Sequence, residues 1–268
     1  MRRRRAFMGA PFLHGETEIC VRASGLDGTM RPFRETPMAD IKVITTVAMQ
    51  GVIEKLAPAF AQKTGQGIAM AFGPPSAAVD MVRAGDNADV VISTPDGIAE
   101  LAREGKVDGA SSKVVARMIM GLAVGLNEPK PAIDTSAAFK RALLDARSII
   151  HADPSTGSPS AAHFLKVTKQ LGIADEIKRK TTLRAGVVAH AVASGECAMA
   201  VQQLAELMLV DGVHVLGPFP AELQNVVPLA AAVHTGAAAP EAAKALIDLM
   251  AAPQTKAIVE AAGLLAAP

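Results

Sequence analysis

The side chains with chemistry to offer are hydroxyls set beside glycine and proline. In Phe72-Gly73-Pro74-Pro75-Ser76-Ala77-Ala78 a strand-like run breaks just before a helical pattern carrying Val79, Met81 and Val82 at burial spacing. A helix start leaves backbone N–H groups unpaired at the positive end of the helix dipole, and Ser76 adds a hydroxyl there. Such a place can seat a small anion; it can equally be an ordinary cap, with Gly73 merely turning the chain. The same chemistry returns in Ala152-Asp153-Pro154-Ser155-Thr156-Gly157-Ser158-Pro159-Ser160, which follows the strand-like Ser148-Ile149-Ile150-His151 and enters a helix ending at Gly172. Two hydroxyl-bearing helix starts are what an anion site between two lobes requires. Two independent capping loops are the other reading.

Several further residues could complete such a site. Thr45, Thr46, Ser93 and Thr94 fall at the carboxyl ends of predicted strands, where ligands of parallel α/β sheets sit. Arg184, expected in a loop, offers a planar fork suited to a carboxylate, or is a solvated charge beside Lys178, Arg179 and Lys180. Gln202 and Gln203 end the buried run Cys197–Val201 and face the site or open a surface helix. For proton transfer the candidates are His151, Asp153 and His163. Each also has a plain structural role, as a strand end, a turn start and a first-turn helix residue respectively.

Other chemistries find little support. The six histidines, at 14, 151, 163, 190, 214 and 234, show no metal-binding spacing, and Cys20 and Cys197 stand far apart, so neither a metal nor a disulfide framework is expected. No Gly-rich nucleotide loop ending in Lys-Ser/Thr, no His-Glu-x-x-His and no Gly-flanked serine elbow occurs, and no cofactor is expected. With 27 Lys plus Arg against 26 Asp plus Glu there is no global field to attract nucleic acid or an anionic membrane. The absence of Trp and Tyr also removes the aromatic platforms that stack bases.

The elements that would position these residues read as alternating strands and helices. The 268 residues, half of them hydrophobic, suffice for one large or two modest domains. Residues 41–46 read as a strand and 52–64 as a helix interrupted by Pro58, which should kink it or mark a restarted first turn. Ile68–Phe72 reads as a buried strand, 89–93 as another, and Thr94-Pro95 to Gly105 as a helix. Residues 226–234 read as a long extended run that Pro228 places at an edge or a crossover. Two last helices, opened by Pro240 and Pro253, are expected to pack on the first lobe. Residues 1–38 lack any sustained pattern and are expected to be a disordered arm. Arg2–Arg5 precede no adequate apolar core, so no signal peptide is expected, and Met38 is an alternative start.

Taken in order, Ile41–Thr46, the Phe72–Ser76 turn, Ala88–Ser93, Asp153-Pro154 with Ser160, and Cys197–Gln203 resemble the periplasmic molybdate-binding proteins, type II solute-binding proteins of ABC importers. The resemblance spans residues 40 to about 263 and rests on the order of several weak signatures. It implies an α/β fold of two doubly wound lobes joined by two crossovers, residues 39–117 with 226–268 and residues 118–225, closing by a hinge on a ligand. It also places the ligand-binding loops at Thr46–Ala48, at Ser76, at Ser160 and near Arg184 and Ala185, with the family's ligand-binding tyrosine falling at about Gln202 or Gln203; Gly73 and Ser158 beside these loops are further ligand-binding candidates. Here the chain departs: Ala48 stands for a serine and there is no tyrosine, which speaks against molybdate, while an Arg184 facing the cleft would suit a carboxylate better than a compact oxyanion, so an organic di- or tricarboxylate is favoured. The reading is therefore a monomeric binding protein serving the membrane subunits of an ABC importer, favoured over an enzyme. Bacterial aconitate isomerase also resembles these proteins, so an isomerase moving a proton on a tricarboxylate is the alternative. Family likeness implies a periplasmic location, whereas the lack of a signal peptide implies a cytoplasmic one.

Overall fold

Short apolar runs closed by Gly, Pro or a hydroxyl residue become strands, and amphipathic stretches between them become helices. A computed structural model of the protein describes residues 39–156 and 158–268. The expectations for residues 1–38, namely a disordered arm, no signal peptide and a start at Met38, fall outside the described residues. The strands are β1 (Ile41–Thr45), β2 (Ile68–Phe72), β3 (Val90–Ser93), β4 (Val107–Met118), β5 (Met120–Gly125), β6 (Ile149–Ala152), β7 (Thr181–Arg184), β8 (Met199–Gln203), β9 (Val213–Pro218), β10 (Val227–His234) and β11 (Leu265–Ala266). The helices are α1 (Gln50–Thr64), α2 (Pro75–Ala84), α3 (Pro95–Arg103), α4 (Ser136–Asp145), α5 (Pro159–Gln170), α6 (Ala174–Arg179), α7 (Ala189–Ala193), α8 (Leu204–Leu207), α9 (Pro240–Ala251) and α10 (Lys256–Ala261).

The strands form two sheets. One has the order β11-β4-β10-β3-β1-β2 and the other β7-β6-β8-β5-β9. In the first, β1 pairs parallel with β2 and β3, while β10 runs antiparallel between β3 and β4. In the second, β6 pairs parallel with β7 and β8, and β5 runs antiparallel between β8 and β9. Helices cover both faces of each sheet. Residues of α1 and α9 share a core with one face of the first sheet, and residues of α2 and α3 with the other. In the second sheet α4, α5 and α6 cover one face and α7 and α8 the other. The chain crosses between sheets twice, through Ile119 and through the stretch from Phe219 to Val226.

At these crossings the side chain of Gln224 grips Met120: its Oε1 accepts from Met120 N at 2.8 Å and its Nε2 donates to Met120 O at 3.0 Å. A second tie holds the first sheet to its last long helix. The buried carboxylate of Asp89, beside β3, accepts from Lys42 N on β1 at 2.8 Å and from Ala239 N, before α9, at 3.0 Å.

Four local readings differ from the sequence expectation. Strand β2 lies at the sheet edge and is only partly buried, with Phe72 39 % exposed, because nothing in the sheet flanks its outer side. Helix α1 continues unbroken past Pro58, which therefore does not restart a first turn; that turn faces solvent, so the carbonyl left without a partner can meet water. Residues 181–184, expected as a loop, form strand β7 beside β6. Strand β10 is interior, and Pro228 sits near its start, where β4 flanks it and the β3 pairs have not yet begun.

Candidate functional site

The parallel strands deliver their carboxyl ends to one hollow of about 300 Å³ lying between the sheets, where loops of α/β proteins characteristically meet ligands. The first sheet contributes Val47, after β1, Phe72 at the end of β2, and Gly73 and Pro74 after it. The second contributes Ala152 of β6, Ser158 before α5, Ala185 to Val187 after β7, Gln202 of β8 and Glu206 of α8. Hollows elsewhere differ in this respect; one of about 280 Å³ between Gly125–Glu128 and Val192–Gly195 is walled by second-sheet elements and their loops alone.

Local bonds fix the walls. Gly73 N donates to Thr45 O at 3.0 Å, which carries the β1–β2 ladder one residue into the loop and holds that loop against β1. Pro74 and Pro75 then open α2, and Ser76 in its first turn, expected as a ligand contact, is exposed and is not among the residues that line the hollow. Opposite, Ser158 Oγ and Ser160 Oγ lie 2.8 Å apart at the start of α5, and Asp153 N donates to Arg184 O at 3.1 Å, closing the β6–β7 ladder beneath Ala185.

The floor is built by Gln202. Its Oε1 accepts from Val188 N at 2.9 Å and its Nε2 donates to Gly186 O at 2.9 Å, so a single buried amide clamps the turn that lines the hollow. The same side chain, from the end of β8, hydrogen-bonds the carboxyl group of Glu206 in α8. Burial withholds water from that carboxyl group and pushes its pKa up to about 7, against the smaller opposing pull of Gln202. Glu206 thus carries the only ionisable side chain among the described residues of the lining.

Of the residues singled out from sequence, Gly73, Ser158 and Gln202 lie on the lining. Thr45, Thr46, Ala48, Ser93 and Ser160 are buried behind it: Thr46 Oγ1 accepts from Ala48 N at 3.1 Å, and Ser93 Oγ donates to Pro75 O at 2.7 Å, bracing the α2 start from below. Arg184 points away into an exposed ion pair with Glu196 at 2.5 Å.

The proton-transfer candidates have structural partners. His151 is 2 % exposed, its Nδ1 lies 2.7 Å from Ala152 O, and its ring meets Phe164 edge-on; burial holds it below the ordinary histidine pKa. His163 Nε2 lies 2.8 Å from Leu223 O. The Asp153 carboxylate accepts from Ser155 N at 2.8 Å, and its bonds to Ser155 draw its pKa down. Among the described residues no three His, Cys, Asp or Glu side chains gather as a metal site.

Glu206 escaped the sequence reading. In Gln203-Leu204-Ala205-Glu206-Leu207 it has the look of a surface residue on a short helix, and the one available signal was its four-residue spacing from Gln202. Gln203 points to the opposite face of β8, where its Oε1 is buried without a hydrogen-bond partner among the described residues.

Comparison with known proteins fits this geometry. A curated aconitate isomerase from a Pseudomonas species is 28 % identical over 237 residues, covering 87 % of this chain and 90 % of that protein. The periplasmic molybdate-binding protein of Azotobacter vinelandii superposes with a TM-score of 0.68 at 21 % identity, covering 85 % of this chain and all of that one. The sulfate-binding protein of Mycobacterium tuberculosis H37Rv gives 0.62 at 19 % identity, over 84 % and 86 % of the two chains. At these identities the superpositions speak for the two-lobed fold. The model of one family, bacterial extracellular solute-binding proteins, matches residues 41–265, and the chain belongs to that family.

Proposed function

We propose that this protein holds a small organic anion, a di- or tricarboxylate, in the hollow between its sheets and presents it to the membrane subunits of an ABC importer. The observation that carries the reading is the shared lining: strand ends of both sheets meet there, with the α2 start on one side and the α5 start on the other. Unpaired first-turn N–H groups and the Ser158 hydroxyl are neutral donors, and they suit a guest whose charge is spread over several oxygens. In this reading residues 39–117 with 226–268 and residues 118–225 act as two lobes of a monomer that close about the crossovers when the guest bridges them.

A thermal-shift panel of molybdate, sulfate, succinate, citrate and tricarballylate tests it. A polycarboxylate should stabilise the protein most, by about 2.7 kcal/mol at a hundred times its Kd. Stabilisation by molybdate alone would return the ligand to the metal oxyanions.

A specific observation also favours a second reading, an isomerase that shifts a proton along an unsaturated tricarboxylate. Glu206 is a carboxyl group on the wall of the hollow whose pKa burial pushes up to about 7, the range that suits a general base near neutral pH, and the Pseudomonas relative bears the name of such an enzyme. In this reading Glu206 takes the role for which His151, Asp153 and His163 were considered. Proton NMR of cis-aconitate incubated with the protein decides: appearance of the trans isomer supports catalysis, and an unchanged spectrum with a bound ligand supports the carrier.

A further inference from the structure

We propose that Glu206 is the proton carrier of the hollow: when an anionic guest enters, Glu206 binds a proton and meets the guest as a neutral acid, so capture of the anion is coupled to proton uptake. This deepens the proposed function and rests on it.

The argument begins with what lies around the carboxyl group. Glu206 shares the lining with Phe72, Gly73, Pro74, Ser158 and Gln202, and no lysine, arginine or histidine is present among the described lining residues to offset a negative charge. Helix α8 packs against the Val47–Met49 turn and strands β5, β8 and β9. The turn, β5 and β8 carry no ionisable side chain. Strand β9 carries His214, which stands opposite Val124, at the other end of β5 from the Gln203–Met120 pair that leads into α8. Ala205 of α8 also joins the core that α1 and α10 share, and the charged residues of those helices, Glu54, Lys55, Lys63, Lys256 and Glu260, are exposed and do not line the hollow. The lining residues around the carboxyl group are neutral.

Two negative charges in one poorly hydrated hollow repel strongly, and the cheaper solution is to neutralise one of them with a proton. Burial by itself brings Glu206 close to that point. A guest carboxylate or sulfate completes the shift. The neutral acid then offers an O–H to a guest oxygen, while its carbonyl oxygen keeps accepting from Gln202 Nε2. The proton comes from solvent and returns there when the guest leaves, so nothing else is consumed. A solute captured in an acidic compartment would be released where the pH is higher.

The test is isothermal titration of the full chain with sulfate, molybdate and tricarballylate, at pH 6 and pH 8, each in two buffers of different ionisation enthalpy. Tricarballylate is saturated and cannot be isomerised, and Glu206→Gln run with the same probes removes the titration of the probe itself. For the probe that binds, the expected result is about 0.9 proton taken up per anion at pH 8 and about 0.1 at pH 6, with affinity about tenfold weaker at pH 8. Glu206→Gln should bind with the same affinity at both pH values, after correction for the probe. Equal proton uptake in the two proteins, or wild-type affinity independent of pH, overturns the proposal while leaving the binding function standing. If no probe binds either protein, the proposed function falls and this inference with it. Should Glu206→Gln fail to fold, proton counts for the wild type against the known ionisation of sulfate, which is fully charged at both pH values, decide the matter.

Discussion

Gln202 and Glu206 carry more of the site than any hydroxyl does. A glutamine amide has two donors and one strong acceptor atom, and here Oε1 takes the Val188 N–H while Nε2 serves Gly186 O and the Glu206 carboxyl group. Replacing Gln202 by Leu should strand the buried Val188 N–H and cost about 1–3 kcal/mol in a urea unfolding titration, with loss of anion binding as the turn loosens. Glu206 makes stability depend on pH in a defined direction. Its pKa rises from the ordinary 4.5 to about 7, so between those values the folded state holds a proton that the unfolded chain has lost. Its stabilising effect is complete below about 4.5, declines as pH climbs to about 7 and is flat beyond. Glu206→Gln should therefore raise Tm at pH 8 relative to the wild type and change it little at pH 5. His151 acts in the opposite sense: its depressed pKa makes the unfolded chain the better proton acceptor below the ordinary histidine value, so acid destabilises the fold there. A melting curve of Glu206→Gln measured across pH 5 to 8 should keep this acid limb and lose the alkaline one.

Among the elements, two show how packing overrides local preference. Pro58 stands inside α1, where it removes an N–H and crowds the carbonyl of Glu54. Both residues face solvent, and the buried stripe Val52, Ile53, Leu56 and Phe60 holds the helix together across the defect. Pro58→Ala should consequently raise stability by about 1–3 kcal/mol, read as a higher urea midpoint with an unchanged slope. Gly121 on β5 is the opposite case. A methyl group there would come within 2.6 Å of Leu204 Cδ1, at the start of α8, and 3.0 Å of the Gly217 carbonyl on β9. Leucine can turn aside, whereas the strand carbonyl cannot. Gly121→Ala should cost about 1–3 kcal/mol and displace α8, with a matching loss of anion affinity in a titration.

At the scale of the molecule, the crossovers bring the two sheets into register with each other. Both cross-connections meet at Met120, whose N–H donates to Gln224 and whose carbonyl accepts from both Gln224 Nε2 and Phe219 N. In Gln224→Ala the carbonyl keeps one partner and the N–H loses its own. The expected loss is about 1–3 kcal/mol of stability together with weaker anion binding, because a looser connection populates open forms that cannot close on a guest. Small-angle scattering with and without ligand measures the second effect as a smaller change in radius of gyration than the wild type gives.

The order of strands and helices and the Thr94-Pro95 helix start were legible in the chain because they rest on local rules: apolar periodicity, proline at a first helical turn and glycine at the last. What tertiary structure decided was direction and depth. Arg184 looked like a ligand clamp until its pairing with β6 turned the side chain outward to Glu196, and Ser93 and Thr45 looked like ligand contacts until neighbouring strands buried them. Glu206 was not singled out from the sequence at all. Its place on the wall of the hollow depends on β5, β8 and the Val47–Met49 turn converging around α8, contacts between segments as far as 159 positions apart in the chain, whose desolvating effect no local pattern records.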